Sequence, residues 1–127
     1  MNRPRNTILT EWETTLMNVI WQQDEITAND IQDVLDSQGT PRSNSAIRTT
    51  LAAMERKGYL SHRTDGRTFY YSANIQRRFA ENTALSYVRD VFFHGCTPSM
   101  ILRLMEEDKI TLKELETMRK HLNINLE

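Results

Sequence analysis

Residues 42 to 71, RSNSAIRTTLAAMERKGYLSHRTDGRTFYY, decide the fold. Ser43 or Asn44 can accept the orphan N–H groups of a first helical turn, so a helix opens there. Ile47, Leu51 and Met54 recur at the spacing of one buried stripe, while Ser45, Arg48, Thr49, Ala52 and Arg56 fall on the opposite face. Gly58 supplies the left-handed position that closes the helix. Tyr59-Leu60 begins a strand, and Asp65-Gly66 between two β-type runs signals a two-residue hairpin turn of the I′ class. That turn sets Thr64 opposite Arg67, His62 opposite Phe69 and Leu60 opposite Tyr71. Leu60, Phe69 and Tyr71 then share a core-facing side, and Arg63, Thr68 and Tyr70 the outer side.

Upstream, Thr10-x-x-Glu13 is a capping box leading into Trp12, Leu16, Val19 and Ile20, the buried stripe of a first helix. A second helix follows Thr27, buries Ile31, Val34 and Leu35, and stops at Gly39 ahead of Pro41. Helices followed by a hairpin in this order make a mainly α fold with a small β-hairpin, a winged helix-turn-helix. After Asn74 the pattern turns wholly helical. Residues 75–93 offer Phe79, Ala84, Val88, Val91 and Phe92 as candidate buried positions, and His94-Gly95-Cys96 breaks the pattern. Thr97-Pro98 reads as cap and first position of the next helix, and Thr111-x-x-Glu114 as a second capping box.

These C-terminal helices total roughly fifty residues, few for a self-sufficient core. Their apolar faces need a partner, most simply a second copy of the chain, although folding back on the winged helix is the alternative. The expected division is a DNA-binding winged-helix domain over 1–73 and a helical dimerisation domain over 74–127. Val88, Phe92, Ile101, Leu104, Met105, Leu115, Met118 and Leu122 are the expected dimer-interface residues.

Net charge is only −1, but it is segregated. Residues 11–36 carry seven acids and no Lys or Arg, whereas residues 42–67 carry six bases (Arg42, Arg48, Arg56, Lys57, Arg63, Arg67) against Glu55 and Asp65. Phosphates feel that local field rather than the total. At 127 residues, 39% hydrophobic and 26% charged, the composition is ordinary for a globular protein. No apolar run approaches the ~20 residues of a membrane span. The N-terminal MNRPRNTILTEW lacks the apolar region of a secretory signal, so the protein is expected in the cytoplasm. The single Cys96 excludes an intramolecular disulfide. His62, His94 and His121 have no metal-ligand spacing, and His94-x-Cys96 alone does not make a site. No cofactor is expected, and no paired acid and base suggests an enzyme.

A major groove about 12 Å wide admits one helix, and residues near its start read base edges. Arg48 can fork onto guanine O6 and N7, Ser45 and Thr49 reach base or phosphate, and the Ala52 and Thr49 methyls suit a thymine methyl. Arg42 and Ser43, just before the helix, are placed for phosphates. Arg63 and Arg67 on the wing would touch the neighbouring backbone or a narrow minor groove. Tyr70 offers a phosphate hydrogen bond or, equally, a ring on which Arg63 packs. Arg56 and Lys57 close the helix and complement its dipole.

Leu9-Thr10-Glu11-Trp12-Glu13, Trp21, Ile26-Thr27-Ala28, Ala46-Ile47-Arg48-Thr49-Thr50-Leu51, Lys57-Gly58-Tyr59-Leu60 and Gly66-Arg67-Thr68-Phe69-Tyr70-Tyr71 together resemble the penicillinase-repressor (BlaI/MecI) family. Phe92-Phe93-His94-Gly95 and the stretch from Met100 to Asp108 match its dimerisation region more loosely. The resemblance implies a homodimer that binds a palindromic operator and blocks transcription. In the antibiotic-responsive members, a membrane sensor-protease system triggers a cut in a C-terminal helix and so frees the operator. Their scissile Asn-Phe pair falls here at Arg103-Leu104, a departure from that pattern. The paired Cys-x-Cys motifs of the copper-responsive branch are absent, so copper sensing is not expected.

Two other readings remain open at this level. One is a winged helix used as a protein-interaction module, which would want an apolar third-helix face. The other is a repressor of the same fold gated by a small molecule.

Overall fold

The structure, a computed structural model, describes residues 8–123. The first seven residues, on which the expectation of no secretory signal partly rests, lie outside that range. The element order is α1 (Glu11–Ile20), α2 (Ala28–Ser37), α3 (Asn44–Arg56), β1 (Leu60–Asp65), β2 (Thr68–Ala73), α4 (Arg77–Phe92), α5 (Thr97–Asp108) and α6 (Leu112–Leu122). Two compact units meet between Leu85 and Ser86, within α4.

In the first unit, side chains that precede each helix set where it begins. Thr10 and Glu13 form the expected reciprocal box: the Glu13 N–H donates to Thr10 Oγ1 at 3.1 Å, and the Thr10 N–H donates to Glu13 Oε1 at 2.8 Å. Thr27 accepts from the Asp30 N–H at 3.1 Å, and Ser43, rather than Asn44, accepts from the Ala46 N–H at 3.1 Å. Leu16, Met17, Ile20, Ile31, Leu35, Ile47, Leu51 and Met54 converge in a core with almost no exposed surface. Fully burying a side chain of this size contributes about 1.5–3 kcal/mol, which fixes the rotation of α3 about its own axis. Trp12 stays half-buried and donates Nε1–H to Thr50 Oγ1 at 2.8 Å, joining α1 to α3.

Lys57 departs from its expected role at the helix dipole. Its ammonium donates to Glu13 Oε2 at 2.7 Å, so a buried carboxylate of α1 holds the C-terminal end of α3. Gly58 follows with φ +89°, as the helix-stop reading requires, and the chain turns into β1.

The hairpin corrects the expected register. Gly66 and Arg67, not Asp65 and Gly66, form the turn, and the pairs are His62 with Tyr71, Arg63 with Tyr70, Thr64 with Phe69 and Asp65 with Thr68. Gly66 has φ +64° while Arg67 is not among the described residues with positive φ. A type I′ turn asks for positive φ at both central residues; glycine followed by an ordinary residue suits type II′. The slip is by two residues, so each side chain keeps its expected face but meets a different partner. Leu60 and Tyr71 reach the core, whereas Phe69 moves toward the tip and is 37% exposed. The His62 ring stacks on Phe69 with centroids 4.0 Å apart, and His62 Nδ1 lies 2.7 Å from Glu55 Oε1, tying the hairpin to α3.

Ile26 extends the sheet by one residue. Its N–H donates to the Tyr71 carbonyl at 3.0 Å and its carbonyl accepts from the Tyr71 N–H at 2.8 Å. A single bridging residue has no periodicity to announce it. Beyond the hairpin, Trp21 Nε1–H donates to the Ile75 carbonyl at 2.9 Å, and Arg77 lies over the Trp21 ring while donating to Asn18 Oδ1. The first turn of α4 is thereby fastened to α1.

No described residue of the second unit is buried. Of the candidate buried positions on α4, Phe79, Val88, Val91 and Phe92 are exposed in the single chain, Phe92 at 68%, and Ala84 is half-buried. Cys96, not Thr97, is the N-cap of α5, with Pro98 in its first turn and no side-chain cap bond. The Ser99 hydroxyl instead donates to Cys96 Sγ at 3.1 Å, which draws the thiol below its ordinary range. The capping box of α6 forms as expected between Thr111 and Glu114.

Burial alone would raise the Glu13 carboxyl, but hydrogen bonds from Lys57 and Thr10 outweigh it and hold the group below its ordinary value of 4.5. Its contribution to stability is therefore complete above that value and lost as pH falls through the lower folded pKa. We expect Glu13→Gln to cost about 1.5–3 kcal/mol near neutrality, the range for hydrogen bonds to a charged group. Denaturant titrations at pH 7 and at a pH below 4.5 check this, because the penalty should shrink as the contribution of the ionised pair is lost. An equal penalty at both pH values would exclude the ionised pair as its source.

Candidate nucleic-acid interface

The core stripe of α3 points Ser45, Arg48, Thr49, Ala52 and Arg56 outward, and all are exposed. At 13 residues α3 is about 20 Å long, enough to lie along a groove and present its first two turns to base edges. Ser43 caps the helix, so its hydroxyl is already committed to the Ala46 N–H. Arg42 projects beside the cap with its guanidinium 5.2 Å from the Trp12 ring centroid.

Arg48 leaves the second turn of α3 with Nε–H donated to Asn44 Oδ1 at 2.5 Å. The Asn44 amide nitrogen in turn donates to Asn29 Oδ1 at 2.8 Å and to Gln32 Oε1 at 3.1 Å on α2. The terminal nitrogens of Arg48 make no hydrogen bond or ion pair among the described residues, while its charge partly offsets the rise that burial imposes on the Tyr71 phenol. In the sequence Asn44 reads only as an alternative cap, and its spacing of four from Arg48 is the signal for this second role.

On the hairpin the expected residues divide. Arg67 stands in the turn, exposed and without an ion pair among the described residues. Arg63 lies 4.4 Å over the ring of Tyr70, its cross-strand partner, and donates from Nε and Nη2 to the two oxygens of Glu25. The Glu25 hydrogen bond outweighs the small desolvation penalty and raises Arg63 above its ordinary value, so its charge is never in question. Tyr70 is half-buried beneath that guanidinium. Glu25 itself, read from sequence only as part of a polar helix end, is carried by the loop that Ile26 stitches to β2.

Acidic side chains thus neutralise Lys57 and Arg63, while Arg42, Arg48, Arg56 and Arg67 make no ion pair among the described residues. Within residues 42–67 the positive charge without an ion pair therefore lies on α3, its approach and the hairpin tip. No group of three or more His, Cys, Asp or Glu among the described residues could hold a metal ion, and no helix of the described chain is long and apolar enough to cross a membrane.

Comparison with known proteins agrees with this geometry. The family described as penicillinase repressor matches residues 9–124. The penicillinase repressor of Bacillus licheniformis is 30% identical over 111 residues, covering 87% of this chain and 85% of its own. The methicillin resistance regulatory protein MecI of Staphylococcus aureus is 29% identical over 114 residues, covering 89% of each. Among solved structures, the DNA-binding domain of the repressor BlaI superposes with a TM-score of 0.51 at 31% identity, over 61% of this chain and 90% of that one. The chain belongs to the penicillinase repressor family, whose members are transcriptional repressors with a DNA-binding winged-helix fold rather than enzymes.

Proposed function

We propose that the protein is a cytoplasmic, homodimeric transcriptional repressor that seats α3 of each copy in the major groove of one half of a palindromic operator. Residues 1–73 serve DNA and residues 74–127 serve dimerisation. Arg48 reads a base; Ser45, Thr49 and Ala52 line the same groove; Arg42, Ser43, Arg63, Arg67 and Tyr70 address phosphates. The observation that carries this reading is the exposed polar face of α3 with unpaired arginines on it and beside it. An interaction module would instead expose apolar side chains on α3.

The dimer reading draws support from the second unit, where Val88, Phe92, Ile101, Leu104, Met118 and Leu122 are exposed and Met105 and Leu115 only half-covered. Large apolar patches left open on one chain mark an interaction surface. Release then follows from loosening that surface, by a signal still to be identified. A protease acting at Arg103-Leu104 would meet these residues inside α5, so cleavage there requires that α5 first unwind locally. A small-molecule-gated form of the same repressor has one observation in its favour, an open groove of about 260 Å³ between α1 and α4 with Leu9, Ala80, Asn18 and Arg77 on its walls.

A salt titration of binding to the promoter upstream of its own gene, against a scrambled duplex, tests the main reading. Selective binding that weakens steeply with salt is expected, each phosphate contact adding about 0.9 to the log–log slope. Equal, weak binding to both duplexes would point to a protein partner for the winged helix. Arg48→Ala is expected to cost about 1–3 kcal/mol on the selected duplex and to relax preference at one base pair. An equal loss on both duplexes would reassign Arg48 to phosphate.

Glutamate at Leu104 or Leu115 is expected to give monomers by sedimentation, with much weaker operator binding and an intact winged helix by circular dichroism. Dimers that survive both substitutions would place the contact surface elsewhere.

A further inference from the structure

We propose that Asn44 is a positioning residue for Arg48: its amide, anchored to α2, holds the Nε edge of the guanidinium and leaves the two terminal nitrogens to meet a base. The inference rests on the base-reading role proposed for Arg48 and adds the device that makes such reading selective.

Hydrogen-bond polarity fixes the arrangement. Arginine has only donors, so the atom of Asn44 that meets Arg48 Nε must be the carbonyl oxygen. The Asn44 amide nitrogen is then turned toward α2, where both of its N–H groups find acceptors, Asn29 Oδ1 at 2.8 Å and Gln32 Oε1 at 3.1 Å. Rotating the amide by half a turn would set N–H against N–H at Arg48. The Asn44 amide therefore has one workable orientation, and it is anchored to a helix whose own position is set by Ile31 and Leu35 in the core.

The consequence for Arg48 is specific. With Nε–H engaged, the guanidinium can meet a base only through its two terminal nitrogens, end-on. That edge matches the paired O6 and N7 acceptors of guanine. A long exposed arginine otherwise samples many rotamers, and fixing one before contact removes part of the ordering cost of binding. Asn44 has no such effect on Arg42 or Arg67, which attract DNA of any sequence.

The experiment uses the full-length chain and a duplex selected by the wild-type protein from a random pool, with a scrambled duplex as reference. Asn44→Ala should lower the affinity ratio between the two by roughly five- to tenfold, part of the discrimination available to one bidentate pair. Affinity for the scrambled duplex and its salt slope should not change. Ser43 still caps α3 in this variant, and thermal unfolding verifies the fold. Asn29→Ala combined with Gln32→Ala, which leaves α3 intact, should reproduce the loss of selectivity. In an Arg48→Ala background both sets of substitutions should become silent, as expected if Asn44 acts only through Arg48.

Additive losses in that background would overturn the proposal, because Asn44 would then contact DNA itself or act through the fold. A silent Asn44→Ala beside a selective Arg48→Ala would overturn it while sparing the base-reading role. If Arg48→Ala leaves selectivity untouched, or if the wild-type chain selects no duplex, the functional reading fails and the positioning role falls with it.

Discussion

A carboxylate enclosed by protein must stay paired, and Glu13 meets that constraint in a way that orders the rest of the winged helix. One oxygen closes the N-terminal box of α1 and the other receives the ammonium of Lys57 at the far end of α3. Leaving either oxygen bare would cost more than a surface ion pair returns, since burial penalises an unpaired charge heavily. The pair therefore ties the end of α3, and the Gly58 turn after it, to the start of α1. Trp12 and Thr50 repeat the same joint about two turns away along α3. α3 cannot slide or rotate without breaking one of these bonds or exposing Ile47, Leu51 and Met54.

The same accounting explains how a chain of net charge −1 presents a positive face. The acids of the first two helices and their connecting loop do not simply dilute the field of α3. Glu13 and Glu25 reach out of that acidic stretch and neutralise Lys57 and Arg63. Those bases sit where the fold needs them, at a helix end and across the sheet. Within residues 42–67, Arg42, Arg48, Arg56 and Arg67 are left without an ion pair, on α3, before it and at the hairpin tip. The Arg63–Glu25 pair stands in solvent, where screening leaves ion pairs weak, so a phosphate could take the place of the carboxylate at small cost.

Local chemistry made most of the first unit legible in the sequence. Thr10, Thr27, Ser43 and Gly58 are punctuation that acts within four residues, and the stripes of α1 to α3 are wide enough to identify a core. The misreadings share a cause. The hairpin register depended on whether Asp65 or Arg67 joined Gly66 in the turn, a choice made by φ angles that both dipeptides leave open until the strands pair. The Ile26 bridge, the Lys57–Glu13 pair and the Asn44 network are contacts between distant segments, and each uses a residue that has a sufficient local explanation. The exposed face of α3 was readable from spacing alone, whereas the locking of Arg48 depends on where α2 lies.

The second unit raises a different physical issue, because its helices are individually well specified and collectively unsatisfied. α6 has a complete capping box and basic residues in its last turn, yet Leu112, Met118 and Leu122 remain exposed. Helix-forming signals settle that a segment is helical but not what it lies against. Under the proposed dimer, this leaves operator affinity dependent on residues that never approach DNA. A single winged helix offers one short helix and a hairpin, while two joined copies bind with the second contact made effectively intramolecular. Whatever loosens the C-terminal helices then removes that multiplication and leaves α3, Arg48 and Asn44 untouched. Such a repressor can be released without a ligand site near the DNA-reading face, because the stability of the second unit already sets the occupancy of the first.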